Sequence, residues 1–115
     1  AVGCYDGLVY FLDAATGAVL WTYDTGDQVK CSPISSPSGG PGGGWVWCGS
    51  HSGRVAALCP EARAPVWEME CGAGVMASVA LAPPTRDGAM AFVADLRGRV
   101  HALCISASPT SAGGR

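Results

Sequence analysis

The sequence predicts an all-β fold, an incomplete β-propeller of about two and a half four-stranded blades. Three observations predict it. A short pattern recurs: residues 2–13 are VGCYDGLVYFLD, residues 48–59 CGSHSGRVAALC and residues 93–104 VADLRGRVHALC. Gly7, Gly53 and Gly98 align, as do Val9, Val55 and Val100, and Leu12, Leu58 and Leu103. The first two units stay in step further on, with Trp21 over Trp67, Asp24 over Glu70, Gly26 over Gly72, Val29 over Val75 and Ser32 over Ser78. A period of about 40–50 residues with a Gly turn and one Trp suits a propeller blade. Second, the runs LVYFL and AVLWTY are apolar on both faces, as a sheet packed between two neighbours requires. Third, no stretch offers a capped helix of period 3.6; the best helical decoy, around Val75, ends at Pro83-Pro84.

The elements follow in order. Residues 2–4 form a short strand and Tyr5-Asp6-Gly7 a turn, because Gly adopts positive φ without steric cost. Residues 8–12 are a second strand, 13–17 a second turn, and 18–23 a third strand carrying Trp21. Residues 24–27 turn again and 28–32 make a fourth strand. Blade 1 is thus expected over residues 1–34, blade 2 over 45–82 and a two-stranded partial blade 3 over 89–104. The Gly/Pro/Ser-rich stretch 35–44 reads as a linker, 83–88 as a loop and 105–115 as a disordered tail. Two and a half blades leave apolar faces open at both ends, so the chain is expected to be a fragment whose partners are the remaining blades. Its start at Ala1 agrees with that expectation.

Composition narrows the function. In 115 residues the net charge is −2 and 14% of residues are charged, which argues against a nucleic-acid surface. No apolar run approaches the roughly 18 residues of a membrane helix, and no leader is visible, so a cytoplasmic location is expected. The six cysteines include no C-x-x-C, and Cys59 and Cys104 fall at matching repeat positions. They are expected to be free, buried, reduced thiols acting as small hydrophobes.

The string Leu12-Asp13-Ala-Ala-Thr16-Gly17-Ala-Val-Leu-Trp21 resembles the repeat signature of PQQ-like propellers. The resemblance implies structural roles for Asp13, Thr16, Gly17 and Trp21, each Trp docking on the adjacent blade. In the second unit, residues 59–67 keep only Trp67 of that signature, which puts the tight turn there in question. The segments VGCYDGLVYFLDAATG, GSHSGRVAAL and WEMECGAGV together resemble the C-terminal propeller of β-alanine-activating enzymes, members of the acyl-CoA synthetase family. That resemblance covers about residues 2–104. It implies a parent with an adenylation domain that uses ATP and Mg²⁺ and a carrier domain bearing phosphopantetheine. None of those parts lies in this chain, which is expected to be non-catalytic, to hold no cofactor or metal, and to serve in docking between proteins or domains.

The rival readings are weaker. A quinone dehydrogenase would hold a Ca²⁺–quinone pair with Asn, Asp and Glu, yet the chain has no Asn and no adjacent cysteine pair. A scaffold propeller of an envelope or secreted adaptor is a further alternative. Gly72-Ala-Gly74-Val-Met-Ala77 fits a dinucleotide fingerprint, but its helix would have to cross Pro83-Pro84. Gly49-Ser-His51-Ser-Gly53 has His where a nucleophile elbow needs Ser. His51 and His101 occupy different repeat positions, which argues against a metal pair. Arg54, Arg97 and Arg99, beside Asp95, read as solvated rim, and Trp45 and Trp47 as packing between blades. The expected key residues are therefore structural: Gly7, Asp13, Thr16, Gly17, Trp21, Gly53, Trp67 and Gly98.

Overall fold

The computed structural model describes residues 1–36, 44–83 and 88–106. Every regular element in them is a strand: β1 (Val2–Gly3), β2 (Leu8–Leu12), β3 (Val19–Asp24), β4 (Ile34–Ser35), β5 (Val46–Gly49), β6 (Arg54–Cys59), β7 (Ala64–Glu70), β8 (Ala80–Leu81), β9 (Gly88–Ala94) and β10 (Val100–Ser106). They form three antiparallel sheets in the orders β1-β2-β3, β4-β5-β6-β7 and β8-β9-β10. The all-β, partial-propeller architecture expected from the repeat is present.

The second sheet shows why these residues stack as blades. All four residues of β5 are buried, and so are the middle four of β6. Strand alternation sends Val46, Cys48, Ala56 and Leu58 to one face. There they join Val9, Phe11 and Tyr23 of the first sheet. Trp47, Val55 and Ala57 go to the other face, against Ala91 and Val93 of the third sheet. A strand that is greasy on both faces is stable only between two neighbours, and this one has them.

Equivalent loops also repeat their hydrogen bonds. The Cys4, Ser50 and Asp95 amides donate to the carbonyls of Leu8, Arg54 and Arg99, closing three copies of one turn. Between blades, the His51 amide donates to the Gln28 carbonyl and the Leu96 amide to the Gly74 carbonyl, both at 2.8 Å. The Ser32 amide donates to Ser78 Oγ at 3.1 Å. Ser32 and Ser78 hold the same place in successive repeats, so their contact places this loop near the common axis.

The strand assignment differs from the sequence expectation in three ways. Residues 28–32 are not a strand; the Val29 amide instead donates to the Cys4 carbonyl, and Cys31 Sγ lies 3.1 Å from the Gly49 carbonyl. In the second and third sheets the innermost strand precedes the Gly-turn hairpin: Ile34–Ser35 pairs with β5 and Ala80–Leu81 with β9. The third blade thus has three strands rather than two, and the blade boundaries at 34 and 82 fall inside or beside strands of the next sheet. Finally, β10 continues through residues 105 and 106, where a disordered tail was expected, because its backbone pairs with β9 to Gly88. The rest of the expected tail, 107–115, the linker core 37–43 and loop residues 84–87 lie outside the described residues.

Gly53 and Gly98 close equivalent turns with φ of 102° and 81°. A methyl group on Gly53 would lie 2.7 Å from the Ala73 carbonyl oxygen, whereas on Gly98 it would meet nothing within 4 Å. Gly98→Ala is expected to cost about 1 kcal/mol from left-handed strain alone. Gly53→Ala adds a steric clash with backbone and is expected to cost about 3 kcal/mol. Equilibrium urea unfolding of the two variants checks the order; equal losses would refute it.

Candidate functional site

The repeat places an ordinary side chain at the first turn position twice, Cys4 and Ser50, and an acid once, Asp95. Asp95 is 7% exposed, and its carboxylate is fully used. Oδ1 accepts the Arg97 and Arg99 amides at 2.9 and 3.1 Å. Oδ2 accepts Arg99 Nε at 2.9 Å and lies 2.8 Å from His101 Nε2, which carries its proton toward the carboxylate. The His101 hydrogen bond is the largest of the effects that hold the Asp95 carboxyl well below the usual carboxylate range; the Arg99 and Arg97 donors add to it and burial opposes it. Arg99 then reaches into the neighbouring blade, donating from its guanidinium to the Cys71 carbonyl at 2.8 Å. The cluster joins the third sheet to the second.

This corrects the solvated-rim reading of that charge group. Arg99 is 47% exposed, but its carboxylate partner is not exposed at all. The only sequence signal was an acid at a repeat position otherwise held by Cys and Ser. Arg54 behaves closer to expectation, pairing at the surface with Glu70 at 2.9 Å and with Glu68 at 4.0 Å. Tyr23 of the first sheet donates its hydroxyl to Glu68 of the second. Burial, then that hydrogen bond, raises the Tyr23 phenol above its ordinary value.

The structural residues chosen from sequence take the following places. Asp13 Oδ1 accepts the Ala15 and Thr16 amides at 2.8 and 3.0 Å, which lowers its pKa. Thr16 Oγ1 accepts the Ala18 amide, and Gly17 donates to the Asp13 carbonyl. In the second unit the turn survives without that signature, with Arg63 at φ 52° where Gly17 stands in the first. Trp21 stacks on Phe11 with ring centroids 4.7 Å apart and packs against the cluster between the first two sheets. Trp67 lies 5.9 Å from Trp47, and Trp45 6.5 Å from it on the same side. Gly7, at φ 95°, closes the first turn.

Sequence reasoning passed over Gly49. A methyl group there would sit 2.6 Å from Val75 Cγ1, so the strand approaches the loop of its own blade with no room for a side chain. Gly3 faces Val29 in the same way.

Little in these residues suits catalysis. The six cysteines are free; Cys31, Cys48 and Cys71 are buried, Cys4 and Cys59 partly so. Burial pushes the Cys48 thiol up to about 12, so it stays protonated. Cys104, expected to be buried, is exposed among the described residues. Among the described residues no three His, Cys, Asp or Glu side chains converge on a metal position. The one buried carboxylate among the described residues, Asp95, is already saturated with donors, so these residues do not fit a Ca²⁺–quinone pair. Gly72–Ala77 runs on to β8, not into a helix, so the dinucleotide fingerprint lacks its helix N-terminus. No helix of the described residues is long and apolar enough to cross a membrane.

Sheets stacked about one axis, with Trp-bearing outer strands and no converging ligand set, define a segment of a PQQ-like β-propeller. The family model described as outer membrane protein assembly factor BamB matches residues 5–107, and the chain belongs to that family. The serine/threonine-protein kinase AfsK of Streptomyces griseus is 31% identical over 108 residues, a match that takes in 86% of this chain. The chain spans only 13% of that kinase's length.

The Asp95 cluster carries a pH signature. A carboxyl whose folded pKa is depressed adds stability that is complete above the unfolded value, about 4, and is lost as pH falls through and below that range. Asp95→Asn is expected to be less stable at pH 7 and to show a flatter loss of stability from about pH 4 to pH 2. Denaturant midpoints across that pH series test this; parallel curves for the two proteins would count against it.

Proposed function

We propose that this chain is a non-catalytic docking segment within a larger enzyme, and that the parent is an adenylate-forming, carrier-loading ligase of the acyl-CoA synthetase type. The observation that carries the docking reading is that the buried carboxylate of Asp95 and the phenol of Tyr23 are spent on joining neighbouring blades. Asp95 spends its charge on Arg99 and His101, and Tyr23 spends its hydroxyl on Glu68. The ordered motifs VGCYDGLVY, GSHSG and WEMECG support the choice of parent. The kinase match is consistent with a repeat of this type standing inside a longer enzyme of different chemistry. In this reading ATP, Mg²⁺ and phosphopantetheine belong to the other domains, and the partners are those domains and the remaining blades. Free thiols fit a cytoplasmic site of action.

The description of the matching family favours one second reading, a scaffold propeller in envelope assembly. The two separate by experiment. In the full-length parent, replacing Arg99 and Asp95 together by Ala should leave carboxylate-dependent pyrophosphate exchange unchanged while transfer to the carrier thiol falls. Equal loss of both activities, or loss of neither, would refute a docking role in carrier loading.

A further inference from the structure

Antiparallel strands bring two kinds of loop to one end of the sheets: the Gly-closed hairpins at 4–7, 50–53 and 95–98, and the connections between sheets at 25–33 and 71–79. These loops touch one another along that end. Lys30 Nζ lies 5.7 Å from the centroid of the Tyr5 ring, and the His51 amide donates to the Gln28 carbonyl at 2.8 Å. A methyl group on Gly74 would meet the His51 carbonyl oxygen at 2.5 Å and Leu96 Cδ1 at 3.0 Å. Tyr5, His51 and Leu96 hold the same hairpin position in successive sheets, so they form one arc across the three.

The arc is apolar where turns are ordinarily polar. Tyr5 is 66% exposed, Leu96 55%, and Met76 in the second connection 44%. The described turns at the opposite end, 13–17 and 59–63, expose no large apolar side chain. One residue further along each hairpin the charge runs from acid to base: Asp6, Ser52, Arg97. The Asp6 carboxylate is fixed by the Leu8 amide and the Tyr10 hydroxyl, two donors that leave it further lone pairs. Arg97 spends only its amide, on Asp95, and its guanidinium is unpaired among the described residues.

We propose that this end of the three sheets is a self-association surface, its occupant a second copy of the chain turned about a two-fold axis that runs radially through the second sheet. The pattern is self-complementary, as such an interface requires. The rotation exchanges the first and third sheets, so Tyr5 meets the partner's Leu96 and Asp6 meets the partner's Arg97, and each contact occurs twice. It also sets Lys30 over the partner's Met76 and Ser52 over the partner's Ser52, so no like charges are opposed along the arc. A partner of a single charge would satisfy one end of the arc and oppose the other. This goes beyond the docking reading above and does not depend on it.

Sedimentation equilibrium of the full 115-residue chain tests it. A dimer is expected, weakened by salt. Arg97→Asp and Asp6→Arg should each weaken it about tenfold by setting like charges opposite each other. An equimolar mixture of those two variants should regain the original affinity, because every such contact then pairs Asp with Arg. Leu96→Ser, at an exposed turn tip, should weaken the dimer about fivefold with an unchanged urea midpoint. Ala102→Glu, on the exposed face of the third sheet, should leave the dimer intact. A chain that stays monomeric at about 100 µM overturns the proposal. So does an assembly that Ala102→Glu dissolves and Arg97→Asp does not, because copies would then stack sheet on sheet. A mixture no tighter than its components overturns it as well. Where Asp6→Arg lowers the urea midpoint, Arg97→Asp and Leu96→Ser decide, and undiminished affinity in both overturns the proposal.

Discussion

Burial of the second sheet on both faces is the constraint on which the other features depend. Trp47 and Cys48 are neighbours in β5, point to opposite sides, and are each 1% exposed. Neither could be satisfied in a two-layer sandwich, where every second residue meets water. Once both faces are claimed, the flanking sheets must present matching apolar faces. The loop after β7 then lies close against the second sheet, at Val75 and Ala73, and leaves no room for a side chain at Gly49 and Gly53. Polar groups also bridge the seams, Tyr23 to Glu68 and Arg99 to the Cys71 carbonyl.

The two seams are built from equivalent positions but not from equivalent chemistry. The first contains Tyr23, and the position one repeat later is Met69, which packs against the second cluster without a polar partner. The second seam gains instead an anchored carboxylate at a turn where the earlier repeats have Cys4 and Ser50. Backbone geometry is therefore the conserved part of the repeat: the amide-to-carbonyl bonds of the turns recur in three copies although the side chains above them do not. That is why a turn lacking Asp, Thr and Gly still forms at residues 59–63, with Arg63 held in the left-handed region by the strands on either side.

The legible parts of the sequence were those governed by local rules. The Asp-Gly and Ser-Gly hairpins and the doubly apolar strands follow from positive φ and alternation, and both appear in the structure. The inner strands were not legible, because Ile34–Ser35 and Ala80–Leu81 are two residues long and carry no period. In the first unit the pattern points instead to a fourth strand at 28–32, where Val29 and Cys31 look strand-like but plug the seam between blades. The charge cluster was missed for a related reason: Arg97, Asp95 and Arg99 read as surface when taken alone. The burial of Asp95 is set by the approach of the Gly72 loop from another sheet. Gly49 was hidden because the lack of space around it comes from Val75, far along the chain.

The path of the backbone from sheet to sheet carries one more consequence. The chain leaves each blade at its outer strand and enters the next at its innermost one, with Ser32 touching Ser78 where successive passages meet. Duplicating one such passage adds a wedge whose two sides already match those beside it. Growth by gene duplication then requires no new surface to be invented, and only the angle between wedges limits how many fit before the circle is full.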